Sequence, residues 1–194
     1  MGTKMSESWD DLAAGWDENE AVIAYSEKAF GTLCEVIEIR GAQVLDFGCG
    51  TGLLTEQLAP RVTSVTAIDP ATKMVQVLED KGFGNVTTVV GEVDEDFVRD
   101  CRQSGKRFDV VVASSALAFV PDYAETIELL TMLLADKGVL VQWDWEKVGD
   151  SSVGFSSTEI EEAYESAGLN VVSITHPFCM GDMRVIMAVG QREA

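Results

Sequence analysis

Val44–Gly52 reads VLDFGCGTG: an apolar run that ends on an acid and opens into a loop with glycine at every second position. Lacking Cβ atoms, Gly48, Gly50 and Gly52 can take positive φ and bring backbone amides into direct contact with a ligand at the carboxyl end of a strand. Downstream, VTSVTAID closes on Asp69, 23 residues after Asp46. An acid at the tip of the second strand of such a unit can accept hydrogen bonds from both ribose hydroxyls.

The spacing separates two nucleotide chemistries. A dinucleotide fingerprint needs a sixth-position glycine, but counting from Gly48 that place holds Leu53, and from Gly50 it holds Thr55. No lysine or arginine flanks the loop to neutralise a pyrophosphate. An acidic rim that includes Asp46 suits a cationic ligand instead.

Outward from this loop, short β-branched runs alternate with longer amphipathic stretches, the pattern of an α/β protein with a parallel sheet covered by helices. Strands are expected at 43–47, 62–68, 86–90, 108–113, 138–145, 170–175 and 184–190, seven in all, and helices at 53–59, 71–81, 94–103, 123–135 and 158–167. Two more helices, over 8–16 and 20–39, precede the first strand. Ser156 or Ser157 can cap the helix that Gly168 ends. With 194 residues and no low-complexity linker, one domain is expected, residues 1–40 capping a core of 41–194.

Composition excludes several partners. Lys+Arg 14 against Asp+Glu 33 gives a net charge of −19, which repels phosphate backbones and anionic membranes. Nucleic acid and membrane are therefore not expected. Four widely spaced cysteines with no CxxC pair fit reduced thiols, and no metal site is implied. The first twenty residues lack the basic-then-apolar order of a signal peptide, and no apolar run could span a bilayer, so a cytoplasmic monomer or homodimer is expected.

Taken in series, VLDFGCGTG, TAIDP, VVGEVDE (89–95) and FDVVVASSALAFVPD (108–122) resemble the motifs of the class I S-adenosylmethionine-dependent methyltransferases, particularly the small type 11 group that acts on small molecules. The resemblance covers nearly the whole chain. It implies a single Rossmann-like three-layer sandwich with a seven-stranded, mostly parallel sheet, the last strand antiparallel, and N-terminal helices capping the site. It also implies S-adenosylmethionine as cofactor, S-adenosylhomocysteine as co-product and a small-molecule methyl acceptor. Asp46, Gly48 and Gly50 would surround the methionine and ribose portion, and Asp69 would hold the ribose. Met74 and Val93 would flank adenine with Glu92 near its amine, and Ala113 and Ser114 would border the methionine carboxylate and methyl. Met74 reads equally as helix core, and Glu92 as an acid favoured at a helix start.

Where many relatives carry histidine after the fourth strand, this chain has Ala116-Leu117-Ala118-Phe119, so no general base is named there. Candidates for the acceptor pocket are Trp16, Tyr25, Phe119, Trp143 and Asp144; strand alternation sends Trp143 and Asp144 to opposite faces. His176, the only histidine, reads as a solvated loop residue after the sixth strand. Direct displacement at a sulfonium needs little acid–base help, so proximity and desolvation are the expected source of rate. Two other readings are a non-catalytic cofactor-binding or regulatory protein on the same fold and an NAD(P)-dependent oxidoreductase. The missing glycine and the absence of a Tyr-x-x-x-Lys pair weigh against the oxidoreductase.

Overall fold

The computed structural model describes residues 3–149 and 153–193. Its strands form one seven-stranded sheet in the order β3-β2-β1-β4-β5-β7-β6. The pairs β1–β2, β2–β3 and β4–β5 are parallel, and β7 is antiparallel to both β5 and β6, so the expected α/β class and the antiparallel last strand both hold. By internal contacts the chain divides into two compact units, Met1–Glu92 and Val93–Ala194.

The first unit runs α1 (Thr3–Trp16), α2 (Glu20–Val36), β1 (Gln43–Phe47), α3 (Leu53–Leu58), β2 (Ser64–Asp69), α4 (Thr72–Asp80) and β3 (Val86–Val90). Asn19 starts α2 by accepting the Ala21 N–H at 3.0 Å, which satisfies a donor the first helical turn leaves unpaired. β1 and β2 are apolar on both faces, as strands covered on both sides must be. Val44, Leu45, Val65, Ala67 and Ile68 are all buried.

The second unit runs α5 (Glu95–Gln103), β4 (Phe108–Ser114), a 3-10 turn (Leu117–Phe119), α6 (Tyr123–Leu133), β5 (Leu134–Trp145), α7 (Ser157–Ser166), β6 (Leu169–Met180) and β7 (Met183–Arg192). Ser156 forms a reciprocal capping box with Glu159, worth about 1 kcal/mol to the helix it starts. Gly168 ends that helix at φ +79°.

The structure moves several expected boundaries: α1 begins at Thr3 rather than at residue 8, α2 ends at Val36 rather than at residue 39 because Ile37 is already extended, and two further shifts reshape the sheet. α6 stops at Leu133 and β5 begins at Leu134, because Leu134 already pairs with Phe108 and its carbonyl accepts from Arg192 Nη1 at 2.6 Å. The left-handed turn in that strand falls on Lys137, φ +63°, next to Gly138. β6 runs to Met180 rather than ending at Thr175, so His176 lies inside the strand and not in a loop. There the ladder slips: Thr175 faces Met187 and Phe178 faces Val185, leaving His176 and Pro177 opposite the single residue Ile186. This is a β-bulge. Proline, with no N–H to give a ladder, is at home in one on an edge strand.

Candidate functional site

In the first unit the loop after β1 is built on left-handed glycines, with φ of 67°, 53° and 83° at Gly48, Gly50 and Gly52. A Cβ on Gly52 would lie 2.3 Å from Leu78 Cδ1, so this glycine lets the loop pack on α4. A Cβ on Gly50 would meet nothing within 4 Å; that glycine faces open space. The amides of Gly48 and Cys49 donate to the Ile68 carbonyl at 2.9 and 3.1 Å, and the Gly50 N–H donates to Asp69 Oδ2 at 2.9 Å. Asp69 Oδ1 accepts from the Ala71 N–H at 2.8 Å. One carboxylate thus fixes both the glycine loop and the start of α4, while two oxygens with further lone pairs remain available to hydroxyl donors.

Asp46 is 1% exposed and accepts from Thr55 Oγ1 at 2.5 Å. Burial, and secondarily the charge on Asp69, push its carboxyl up to about 7, with the Thr55 hydroxyl pulling the other way. Burial also raises Asp69, opposed by its two backbone hydrogen bonds. The N-terminal segment bonds to this loop and to the start of α4. The Thr51 hydroxyl donates to Asp17, which pairs with Lys81 at 2.8 Å, and Asp10 accepts the Lys73 N–H at 2.7 Å. Sequence reasoning missed Thr51, Thr55, Asp10 and Asp17, since nothing in their spacing announces which loop they reach.

Of the residues expected around the cofactor, Asp46, Gly48, Gly50 and Asp69 come together in this way. Met74 is 2% exposed in a cluster with Ala13 and Ala71, against which Trp9 and Trp16 pack. The Trp9 and Trp16 rings meet edge-to-face at 5.6 Å. Trp16 is therefore an anchor that docks α1 on α4. Tyr25 is buried within α2, and Glu92 is exposed.

In the second unit Val93 is buried two residues before α5, Ala113 is enclosed, and Ser114 is half-buried at the carboxyl end of β4. Ser115 follows in a left-handed turn, φ 55°, and donates its N–H to the Trp143 carbonyl at 2.7 Å. Phe119 is 40% exposed. Trp143, by contrast, is completely buried and packs as core. Asp144 is also fully enclosed, and burial drives its carboxyl far above the usual carboxylate range, offset by the Ala118 N–H.

Around Asp144 stand polar groups that the sequence reading did not single out. The Tyr123 hydroxyl donates to Gln142 Oε1 at 2.7 Å, and its ring lies 4.3 Å from that of Phe155. Burial raises both Tyr123 and Tyr164, and nearby Asp144 adds to each shift. Gln142 Nε2, the Tyr164 hydroxyl and the Asp144 oxygens find no hydrogen bond of full geometry among the described residues. At the strand end, Glu146 Oε1 lies 2.9 Å from His176 Nε2 and Oε2 lies 3.1 Å from Arg184 Nη1. Gln142 and Asp144 alternate with apolar neighbours along the second half of β5, which was the legible signal for the buried group.

A family model described as "Methyltransferase domain" matches residues 24–152. A ubiquinone biosynthesis O-methyltransferase of Xanthomonas oryzae pv. oryzae (strain PXO99A) is 36% identical over 104 residues, covering 54% of this chain and 43% of that protein. The matched stretch thus spans less than half the length of such curated relatives. Among solved structures, a chain from the complex of the Haloferax volcanii Trm112 methyltransferase activator with a methyltransferase superposes with TM-score 0.77 at 17% identity, covering 96% of this chain and 98% of that one. The Burkholderia thailandensis 1,6-didemethyltoxoflavin-N1-methyltransferase superposes with TM-score 0.73 at 20% identity, covering 99% and 87%. At such identities the likeness establishes the fold.

Proposed function

We propose that this chain, which belongs to the methyltransferase domain family, transfers the methyl group of S-adenosylmethionine to a small-molecule acceptor by direct displacement. Membership rests on a match over about two thirds of the chain. The observation that carries the reading is the Gly48–Gly52 loop, whose Gly50 amide is tied to Asp69 and whose open side faces space a ligand can fill.

The residues present fit that cofactor. Asp69 would hold the ribose hydroxyls, and the backbone at Gly48 and Gly50 would lie against the methionine and ribose portion. Asp46, a desolvated acid, gains by meeting a cation. The loop has no basic residue to receive a pyrophosphate, and Lys81 is engaged with Asp17 and Glu56. Both features favour a sulfonium over a nicotinamide dinucleotide. When bound, S-adenosylmethionine supplies an electrophilic methyl, and the chain's task is to hold acceptor and methyl in line and exclude water, which can supply most of the rate.

A small molecule is the acceptor this reading favours, because the net charge of −19 repels polyanions. No helix among the described residues is long and apolar enough to cross a membrane, and we place the protein in the cytoplasm as a monomer or homodimer.

The test is calorimetric titration with S-adenosylmethionine and S-adenosylhomocysteine. Wild type should bind both, and Asp69→Ala should lose at least tenfold in affinity, the equivalent of about 1.4 kcal/mol. Absence of binding to either ligand would overturn the reading.

A further inference from the structure

A hollow of about 420 Å³, within the size range of small-molecule sites, lies in the second unit among α5, α6, α7 and the end of β7. Glu128, Thr131 and Met132 give it one face of α6, at the i, i+3, i+4 spacing that sets side chains next to each other. Arg102 enters from the last turn of α5, the Ala167-Gly168 turn comes from the end of α7, and Arg192 from the end of β7. This is the starting end of β4 and β5: Arg192 Nη1 donates to the Leu134 carbonyl at 2.6 Å, and Leu134 pairs with Phe108. Ser114 and Trp145 close the same two strands at their carboxyl ends, the edge where open α/β sheets take their ligands. The hollow is therefore a second place on this unit, apart from that edge.

Its charge runs against that of the chain. Asp and Glu outnumber Lys and Arg 33 to 14, yet Arg99, Arg102, Lys106 and Arg107 fall close together on α5 and the turn after it. Arg99 is taken by Asp96 at 2.6 Å. Among the described residues neither Arg102 nor Glu128 has an ion-pair partner, although both line the hollow. A helix C-terminus favours a cation, which accounts for one guanidinium at the end of α5 but not for a second one facing it from β7. The carbonyls of these helix ends are already met: Ser104 N–H donates to Asp100 at 3.0 Å, Lys106 N–H to Cys101 at 2.8 Å and Gly168 N–H to Glu165 at 3.0 Å. Arg192 is half-buried and held by the Leu134 carbonyl, which fixes its planar fork while its other N–H groups stay available. A guanidinium held in this way loses little freedom when it binds an anion.

We propose that this hollow binds a small organic carboxylate, its charged end on the Arg102 and Arg192 guanidiniums and its apolar body against Met132 and Ala167. Charge selects the anion. Two guanidiniums and the Glu128 carboxylate sum to a single positive charge, which one carboxylate neutralises. A phosphate monoester, with close to two negative charges, leaves an excess beside Glu128 in a chain already at −19. Geometry agrees, because the guanidinium fork matches the two oxygens of a carboxylate. Size selects the rest: the hollow is larger than a carboxylate group, and the exposed thioether of Met132 offers an adaptable apolar contact. Every residue involved belongs to the second unit, and the site stands whether or not the chain transfers a methyl group.

Sodium benzoate is the probe, titrated into the full chain at fixed ionic strength and followed through backbone amide resonances. Saturable shifts should centre on Arg102, Thr131 and Gly168. Benzyl alcohol, with the same ring and no charge, should leave those amides where they are, and phenyl phosphate should bind more weakly than benzoate. Arg102→Gln, an exposed position whose loss the fold tolerates, should weaken benzoate by about tenfold. Arg192→Lys keeps the charge but loses the fork, and should weaken it by a smaller factor. Glu128→Gln removes the opposing charge, and should tighten benzoate and bring phenyl phosphate level with it or ahead. Shifts that grow linearly without saturating, that centre outside the hollow, that benzyl alcohol reproduces, or that persist undiminished in Arg102→Gln would each overturn the proposal. So would a wild type that prefers phenyl phosphate to benzoate.

Discussion

Asp46 in the first unit and Asp144 in the second are enclosed to the same degree, 1% and 0% exposed, yet their surroundings differ. Asp46 receives the Thr55 hydroxyl, and its neighbour Asp69 receives two backbone amides. Asp144 has only the Ala118 N–H directed at it, beside a tyrosine hydroxyl and an amide nitrogen that also lack partners of full geometry among the described residues. Buried polar groups are normally paired. The first unit has a nearly complete hydrogen-bond shell, suited to one fixed ligand held by backbone. The second leaves Gln142, Asp144 and Tyr164 buried with polar capacity open.

The sharpest way to break this contrast is at the glycines. Gly52→Ala forces a Cβ into Leu78 at φ +83°, and should cost about 3 kcal/mol in urea unfolding from overpacking and backbone strain combined. Gly50→Ala meets no atom within 4 Å. It should cost only about 1 kcal/mol of folding stability for its positive φ, while weakening S-adenosylmethionine binding by a larger factor. If both variants lose stability equally, the loop is not preorganised around an open face.

Proton linkage is the next lever. Asp46 sits at about 7 in the folded chain and near about 3.9 unfolded. Its neutral form is favoured by folding, so its contribution to stability is full below the unfolded value and is lost as pH rises between the two. A bound cation favours the ionised form and reverses the preference. S-adenosylmethionine should therefore bind more tightly at pH 8 than at pH 6, by up to about tenfold over the two units. Calorimetry in buffers of different ionisation enthalpy should register proton release, and Asp46→Asn should abolish both effects.

Asp144 obeys the same sign, since burial raises its carboxyl as well. Its raised folded value means stability falls as pH climbs above the unfolded carboxylate range. Asp144→Asn should remove that slope, so that thermal melts of variant and wild type converge at pH 4 and separate in the variant's favour at pH 8. A variant less stable at every pH would show that the carboxyl is bonded through water and not merely confined. The smallest effect belongs to the solvated pair Lys147–Glu159, 2.6 Å apart at 30% and 42% side-chain exposure. Lys147→Ala should cost under about 1 kcal/mol despite a Glu159 carboxyl held down to about 2 by the Lys147 and Ser156 hydrogen bonds.

Local patterns made much of this legible. Alternating β-branched and amphipathic runs gave the strand and helix series, because period and turn residues are properties of adjacent positions. The three glycines and the two acids 23 residues apart marked the cofactor loop for the same reason. His176 shows where such reading stops. Beside a proline it reads as loop, whereas Pro177 sits in a bulge of a strand that continues to Met180.

The sequence alone determined the order of strands and helices, the left-handed glycines of the loop after β1, and that a cationic nucleotide-like ligand suits that loop better than a pyrophosphate. Only the tertiary structure decided that Trp16 and Trp143 are packing residues, that Asp17 reaches the glycine loop and Asp10 the start of α4, and that Glu146 meets His176 thirty residues away. Those contacts arise from strand register and helix docking, which depend on the summed packing of many residues and leave no signal in the spacing of any two.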